Sequence, residues 1–390
     1  MISGLMMASG ILSLKGGADA STAPLFYSTL VTALAGLCPV LFIKHSTYIT
    51  AKERYAITSG SWIAVCLFGM LPFLMYGHGF TLVNALFESV SGFTTTGASI
   101  LNDIEALPAG LLLWRTVTAW IGGIGIVTLF SLMVPRSHDG KSALSGAEIS
   151  DLTRSQTMMR GNGFIRSVLT VYISLTSSCF ILLLCTGMPW FDALTNAMST
   201  CSTCGFCIRN ASIAYYDNAA AELVIILFMV LSGISFVGLY SAIFKKGFRQ
   251  FMRSHILRTY LIILAAGTLV MSVDLILRGG YPTYLRALRD AMFQMCSITT
   301  TTGFATADTT LWPTVSTIVI IGASLICGCA GSTSGGIKVD RIVILWKRFR
   351  ISVQSLIHPR WIQALWLDGH VVKQARISNA MSFVRIYIML

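Results

Sequence analysis

Seven nearly uncharged apolar stretches dominate this 390-residue chain, near 22–43, 56–76, 108–134, 166–187, 219–244, 257–277 and 312–330. Each approaches the roughly 20 residues that an α-helix needs to cross a bilayer. With 54% hydrophobic and only 11% charged residues, the chain lies far from a soluble globular protein, which carries about 25% charged residues. Residues 1–14 form a shorter apolar run. They lack a basic leading region and a clear small-residue cleavage signal, so they read as a first helix rather than a signal peptide. A last apolar run begins at Ile377 and stops inside itself at Leu390.

A net charge of +12 suggests nucleic-acid binding, but the placement of the charges excludes it. Most basic residues fall in four groups, Lys44–Arg54, Arg136–Arg166, Lys245–Arg258 and Lys338–Arg376, on one side of the implied spans. The other side holds Lys15, Arg115, Arg209, Arg278, Arg286 and Arg289. The positive-inside rule places the four groups in the cytoplasm. The charge is a topology signal, with contact to the anionic surface of the lipid bilayer as a secondary effect.

Three outer segments repeat one register without a gap. They start at Asn84, Asp192 and Asp290, continue through Glu88, Asn196 and Gln294, then Ser91, Ser199 and Ser297, and end at Gly97, Gly205 and Gly303. The glycines lie roughly a hundred residues apart, which marks a repeated structural unit. The short segments 81–93, 189–201 and 287–299 cannot cross a bilayer and return, so each reads as a re-entrant helix. Irregular backbone at membrane depth is tolerated only where protein buries it or water fills the space beside it. Asp192 and Asp290, with Asn84 in their register, suit helix N-caps. Glu88, Asn196 and Gln294 suit hydrogen bonds that brace the following loop.

The expected fold is an all-α polytopic membrane protein. Helix–re-entrant pore loop–helix units surround a central pore, with an extra N-terminal helix pair. The expected parts are that pair at 1–53, a first pore repeat at 54–135, a cytoplasmic linker and second repeat at 136–245, a third repeat with a gating loop at 246–350, and a linker with the start of an incomplete fourth repeat at 351–390. The period places a fourth glycine near position 400, so a C-terminally truncated chain is expected.

A cation in a bilayer needs oxygens in place of its water. Backbone carbonyls and threonine hydroxyls can supply them, and glycine permits the close, unusual backbone this takes. The predicted potassium-binding filter is Thr95, Thr96 and Gly97, with Thr203, Cys204 and Gly205, and Thr301, Thr302 and Gly303. Below the third of these lies a dense run of small residues, Gly328, Gly331, Ser332, Thr333, Gly335 and Gly336. Such a run breaks a helix and predicts a flexible constriction. Its brush with a phosphate-loop pattern fails, because Gly-Lys-Ser/Thr is missing and a membrane helix precedes it.

These segments, with Trp120-Ile-Gly-Gly-Ile-Gly125 and Gly328-Cys-Ala-Gly-Ser-Thr-Ser-Gly-Gly-Ile-Lys338, resemble the Trk/Ktr/HKT superfamily of potassium transporters, closest to its TrkH-like membrane subunits. The resemblance implies K+ as the transported ion, since glycine in the first filter goes with potassium and serine with sodium. It also implies a bacterial cytoplasmic (inner) membrane, a homodimer, and a TrkA-like cytoplasmic nucleotide-binding subunit contacted near Lys338 and Arg341. Cys204 departs from the family's Thr-Gly-Gly-Phe at the second filter. Two other readings compete. Cys201, Cys204 and Cys207 have partial iron–sulfur spacing without a fourth cysteine. Glu88, Asp192 and Asp290 could form a proton relay for another substrate. No catalytic cluster suggests an enzyme.

Overall fold

The computed structural model describes residues 2–15, 19–42, 50–133, 162–244, 247–278, 280–358, 364–368, 370–372 and 374–389. Of the basic groups, Lys44, Arg136, Lys141, Arg154, Arg160, Lys245, Lys246, Arg360 and Lys373 lie outside the described residues, as does the linker 136–161. The chain is almost entirely helical and divides into two compact units, 1–133 with 176–221 and 134–175 with 222–390. Four described helices are long and apolar enough to cross a membrane, or five if one bent pair is a single span. This is the architecture of a multi-pass membrane protein.

In the first unit, the N-terminal run is a helix, Ile2–Lys15, packed against Thr22–Phe42 and Ala109–Met133. Helix Ala51–Gly69 starts at a reciprocal cap. Thr50 accepts from the Glu53 backbone, and Glu53 accepts from the Thr50 backbone at 2.7 Å, which satisfies two amides the helix itself cannot. The short helix Leu71–Tyr76 continues this span and ends at Gly77, whose φ is 74°. Thr81 then caps the helix Leu82–Phe93.

Between membrane helices, lipid is as apolar as leucine, so close approach of small residues replaces the hydrophobic drive. Here Gly92 sits against Thr118, and Gly122 sits against the Phe93 carbonyl, with no room at either for a Cβ. Trp114, wholly buried, donates its indole N–H to the Gly69 carbonyl at 3.0 Å. The glycine contacts lock Leu82–Phe93 onto Ala109–Met133, and the indole bond ties the end of Ala51–Gly69 to the same helix.

In the second unit, helix His255–Arg278 packs against Tyr284–Thr299 and Thr314–Leu325. Pro313, at the start of the latter helix, has no side-chain acceptor. Asp274 serves instead, accepting from the Ser316 amide at 2.8 Å and its hydroxyl at 2.7 Å. An aspartate inside a span is thereby used as a cap borrowed from the neighbouring helix. An antiparallel pair, Trp366–Leu367 with His370–Val371, turns at Asp368. That carboxylate accepts from the His255 amide at 2.8 Å and fixes the start of His255–Arg278.

Two expected spans differ from the structure. The run 219–244 is two helices, Ala219–Ser232 and Phe236–Phe244, bent by 101°. Gly233 at the break is crowded by the Tyr260 hydroxyl, so no side chain fits there. The run 312–330 is helical only over Thr314–Leu325. Ile326–Cys327 then pairs in parallel with Ile337–Lys338, which draws the backbone out of the helix before Gly328.

Candidate functional site

The short helices that lead into the three Thr-x-Gly segments are Leu82–Phe93, Trp190–Ser202 and Tyr284–Thr299. All three end in the same backbone conformation. Thr95, Thr203 and Thr301 are left-handed, with φ of 55°, 54° and 56°, and Gly97, Gly205 and Gly303 follow at 75°, 80° and 85°. The residue between them returns its amide to the serine carbonyl of the preceding helix. These bonds are Thr96 to Ser91 at 2.9 Å, Cys204 to Ser199 at 3.2 Å and Thr302 to Ser297 at 2.8 Å. Left-handed backbone at a β-branched residue costs about 1–2 kcal/mol, and here it recurs three times in register.

Side chains separate the three. In the first and third segments two threonine hydroxyls pair, Thr94 with Thr96 at 2.8 Å and Thr300 with Thr302 at 2.7 Å. Ser202 and Cys204 hold those places in the second segment, and Ser202 donates to the Ser199 carbonyl instead. The serine hydroxyl closes the loop in the first segment, onto the Ala98 carbonyl, and in the third, onto Phe304 at 2.7 Å. The buried Ser199 hydroxyl finds no such partner among the described residues. The second loop lacks both hydroxyl ties and is deeply buried, with Cys204 and Phe206 each 1% exposed.

The register positions after the helix starts behave as expected of braces. Glu88 accepts from the Ser99 hydroxyl at 3.0 Å and the Ile100 amide at 3.4 Å. Asn196 accepts from the Cys207 thiol at 3.7 Å, and Gln294 donates to the Ala307 carbonyl at 3.2 Å. In every case the brace reaches chain just beyond the glycine.

The capping role expected of the aspartates is overturned. Thr81, Pro189 and Thr283 stand at the helix starts, because each helix begins before its Asn or Asp. Asp192 instead accepts from the Tyr216 hydroxyl at 2.8 Å and pairs with Arg209 at 3.2 Å. Asp290 lies mid-helix and receives the Tyr281 hydroxyl. Asp192 and Asp290 thus find tyrosine hydroxyls as partners within their own repeats. Among the described residues no group of three His, Cys, Asp or Glu is placed to hold a metal.

Two features of the site were not recognised in the sequence. The charge pattern marks Arg115 only as an outer charge. It lies buried in helix Ala109–Met133 and pairs with Glu88 at 2.5 Å. An arginine inside an apolar run was the available signal. The break at Gly233 was the other, and Ser232-Gly233-Ile234-Ser235 was its signal.

In the second unit the run Gly328–Gly336 is tied to that break. The Cys329 amide donates to the Gly233 carbonyl at 2.8 Å, and the Phe236 amide donates to the Gly331 carbonyl at 3.0 Å. The Thr333 hydroxyl reaches the Ser232 carbonyl at 3.4 Å. Gly328 has the Gly233 carbonyl oxygen 2.6 Å from where a Cβ would stand, so only glycine fits. Within the same unit, the Gly335 amide donates to the Thr301 hydroxyl at 2.8 Å, which joins this run to the third Thr-x-Gly segment. Gly336 is left-handed at 60° and abuts the Cys327 thiol.

Lys338 and Arg341 turn inward. The Lys338 ammonium donates to the Ser334 carbonyl. Arg341, 5% exposed, lies 3.6 Å over the Phe383 ring. Its guanidinium joins helices Val339–Ile357 and Gln374–Met389.

Comparison with known proteins gives a consistent answer. A family model described as TrkH, cation transport protein, matches residues 25–390. The chain is 34% identical over 344 residues to the Trk system potassium uptake protein TrkH of Halomonas elongata, covering 88% of this chain and 71% of that protein. It is 28% identical over 391 residues to the protein of the same name in Escherichia coli K12, covering 99% and 80%. Among solved structures, the potassium transporter TrkH from Vibrio parahaemolyticus aligns with a TM-score of 0.88 at 27% identity, covering 99% of this chain and 80% of that one.

Proposed function

This chain belongs to the TrkH cation transport protein family, and on that premise we propose that it takes up potassium across the bacterial cytoplasmic membrane. It is a transporter and not an enzyme. The observation that carries the reading is the threefold recurrence of a left-handed threonine and a left-handed glycine after a short helix. Such backbone exposes successive carbonyls that can replace an ion's hydration shell. The threonine hydroxyls at Thr95, Thr96, Thr203, Thr301 and Thr302 add oxygens. Cys204 keeps the carbonyl and forgoes the hydroxyl. Each helix C-terminus at the loop contributes a partial negative charge that favours a cation.

The run Gly328–Gly336 is the gate in this reading. Its closed form is supported by the bonds to Gly233, Phe236 and Thr301, and opening must break them. Each such bond is worth about 1 kcal/mol, so the loop is held firmly enough to close and loosely enough to move. The named relatives are parts of a Trk system, which supports partner subunits. A homodimer and a TrkA-like cytoplasmic subunit complete the proposal.

The test is rubidium uptake by the protein in potassium-loaded vesicles. Uptake well above protein-free vesicles, suppressed by external potassium, is expected. No uptake, or uptake equally suppressed by sodium, would overturn the reading.

A further inference from the structure

Within the first unit, one buried ion pair touches the chain just beyond both Gly97 and Gly205. Glu88 and Arg115 have side chains 0% and 3% exposed and meet at 2.5 Å. On one side, Glu88 receives the Ser99 hydroxyl and the Ile100 amide, two and three residues after Gly97. On the other, Arg115 donates through a terminal nitrogen to the Cys207 carbonyl at 2.9 Å, and its guanidinium lies 3.6 Å over the Phe206 ring. These are the two residues after Gly205. The Phe206 ring in turn lies 3.4 Å from where a Cβ on Gly92 would stand, at the end of the first short helix.

Building on the potassium reading, we propose that Arg115 is a positioning residue for ion selectivity. It fixes the first and second Thr-x-Gly segments against each other, and with them the spacing of the carbonyls that distinguish potassium from sodium. The chemistry requires arginine. A planar guanidinium presents two edges to two acceptors and a face to an aromatic ring at once, and a lysine ammonium is a point charge that cannot. A buried pair of this kind adds little net stability but strongly penalises loss of either partner, which makes it a rigid spacer. The contact is close, because a Cβ on Gly97 would overlap the Cys204 carbonyl oxygen. A small shift of one segment therefore displaces a carbonyl of the other. The third segment uses a neutral brace at the matching position, Gln294 on the Ala307 carbonyl.

The test is the rubidium-to-sodium permeability ratio, from reversal potentials of the full chain in vesicles, for Arg115→Lys and Glu88→Gln. Arg115→Lys keeps the charge and loses the fork. The ratio is expected to fall about tenfold while rubidium flux per protein is largely kept, since carbonyl spacing governs discrimination more than entry. Glu88→Gln is isosteric and should give a smaller fall in the same direction; it carries the test if Arg115→Lys does not accumulate. A ratio equal to wild type, with flux and protein amount declining together, would mean a purely structural pair and would overturn the proposal. So would an equal fall in Arg278→Gln, whose pair with Asp274 is 3.9 Å long with the arginine 67% exposed. Absence of rubidium flux in the wild type would refute the potassium reading itself, a different outcome.

Discussion

The first and third Thr-x-Gly segments share a backbone and differ in how it is held. Gly97 and Gly303 have φ of 75° and 85°. At Gly97 an added Cβ would overlap the Cys204 carbonyl oxygen, whereas at Gly303 nothing among the described residues lies within 4 Å. The chain after Gly97 is braced by a buried ion pair, and the chain after Gly303 by one neutral amide. The third segment has its own tie, the Gly335 amide on the Thr301 hydroxyl. One backbone solution is thus fixed by charge and packing in one place and by neutral hydrogen bonds in the other. The local sequence dictates the conformation, and the surroundings dictate how far it can give.

The largest expected difference comes from the braces. Glu88→Ala leaves the Arg115 charge buried and unpaired, at a cost of about 3–5 kcal/mol. Gln294→Ala removes one neutral bond, at about 1 kcal/mol. Thermal melting of the purified protein in detergent should show a much larger drop for the former, and equal drops would dissolve the contrast.

The glycines come next. Gly303→Ala should pay only left-handed strain, about 1–2 kcal/mol. Gly97→Ala adds overpacking of about 1–3 kcal/mol against the Cys204 carbonyl. The same melting assay ranks them, and a Gly303 variant as damaged as the Gly97 variant would contradict the account.

Thr301→Val removes the acceptor of the Gly335 amide. Hydrogen exchange at Gly335 and its neighbours should speed up several-fold, in keeping with a loss of about 1 kcal/mol. Thr95→Val should leave exchange in that run unchanged.

The smallest effect is at the rim of the first unit. The Asn210 side-chain amide donates to Asp103 at 2.8 Å and holds that carboxyl below its ordinary 3.8. A depressed folded-state pKa gives stability that is present above the unfolded value and lost as pH falls through the folded one. Asn210→Ala should therefore flatten the decline in melting temperature below about pH 4 and change little at neutral pH.

Much of this was readable in the residues. The spans follow from apolar length, and the three segments follow from one repeated register, because both depend on local composition. The brace role of Glu88, Asn196 and Gln294 followed from the same register. The break at Gly233 was hidden in an unbroken apolar run, because its cause is tertiary: the Tyr260 hydroxyl crowds the glycine, and the Cys329 amide claims its carbonyl. Arg115 carried a topology meaning that masked its pairing with Glu88. The register suggests caps at Asn84, Asp192 and Asp290, but Thr81, Pro189 and Thr283 begin these helices several residues earlier.

The central claim is that these three segments select the ion. Its most direct measurement is the rubidium-to-sodium permeability ratio of Gly97→Ser and Gly303→Ser beside wild type, in vesicles holding equal amounts of protein. The account predicts a lower ratio in both variants and the larger fall in Gly97→Ser, where the new side chain displaces the Cys204 carbonyl. A wild-type ratio in both would contradict it.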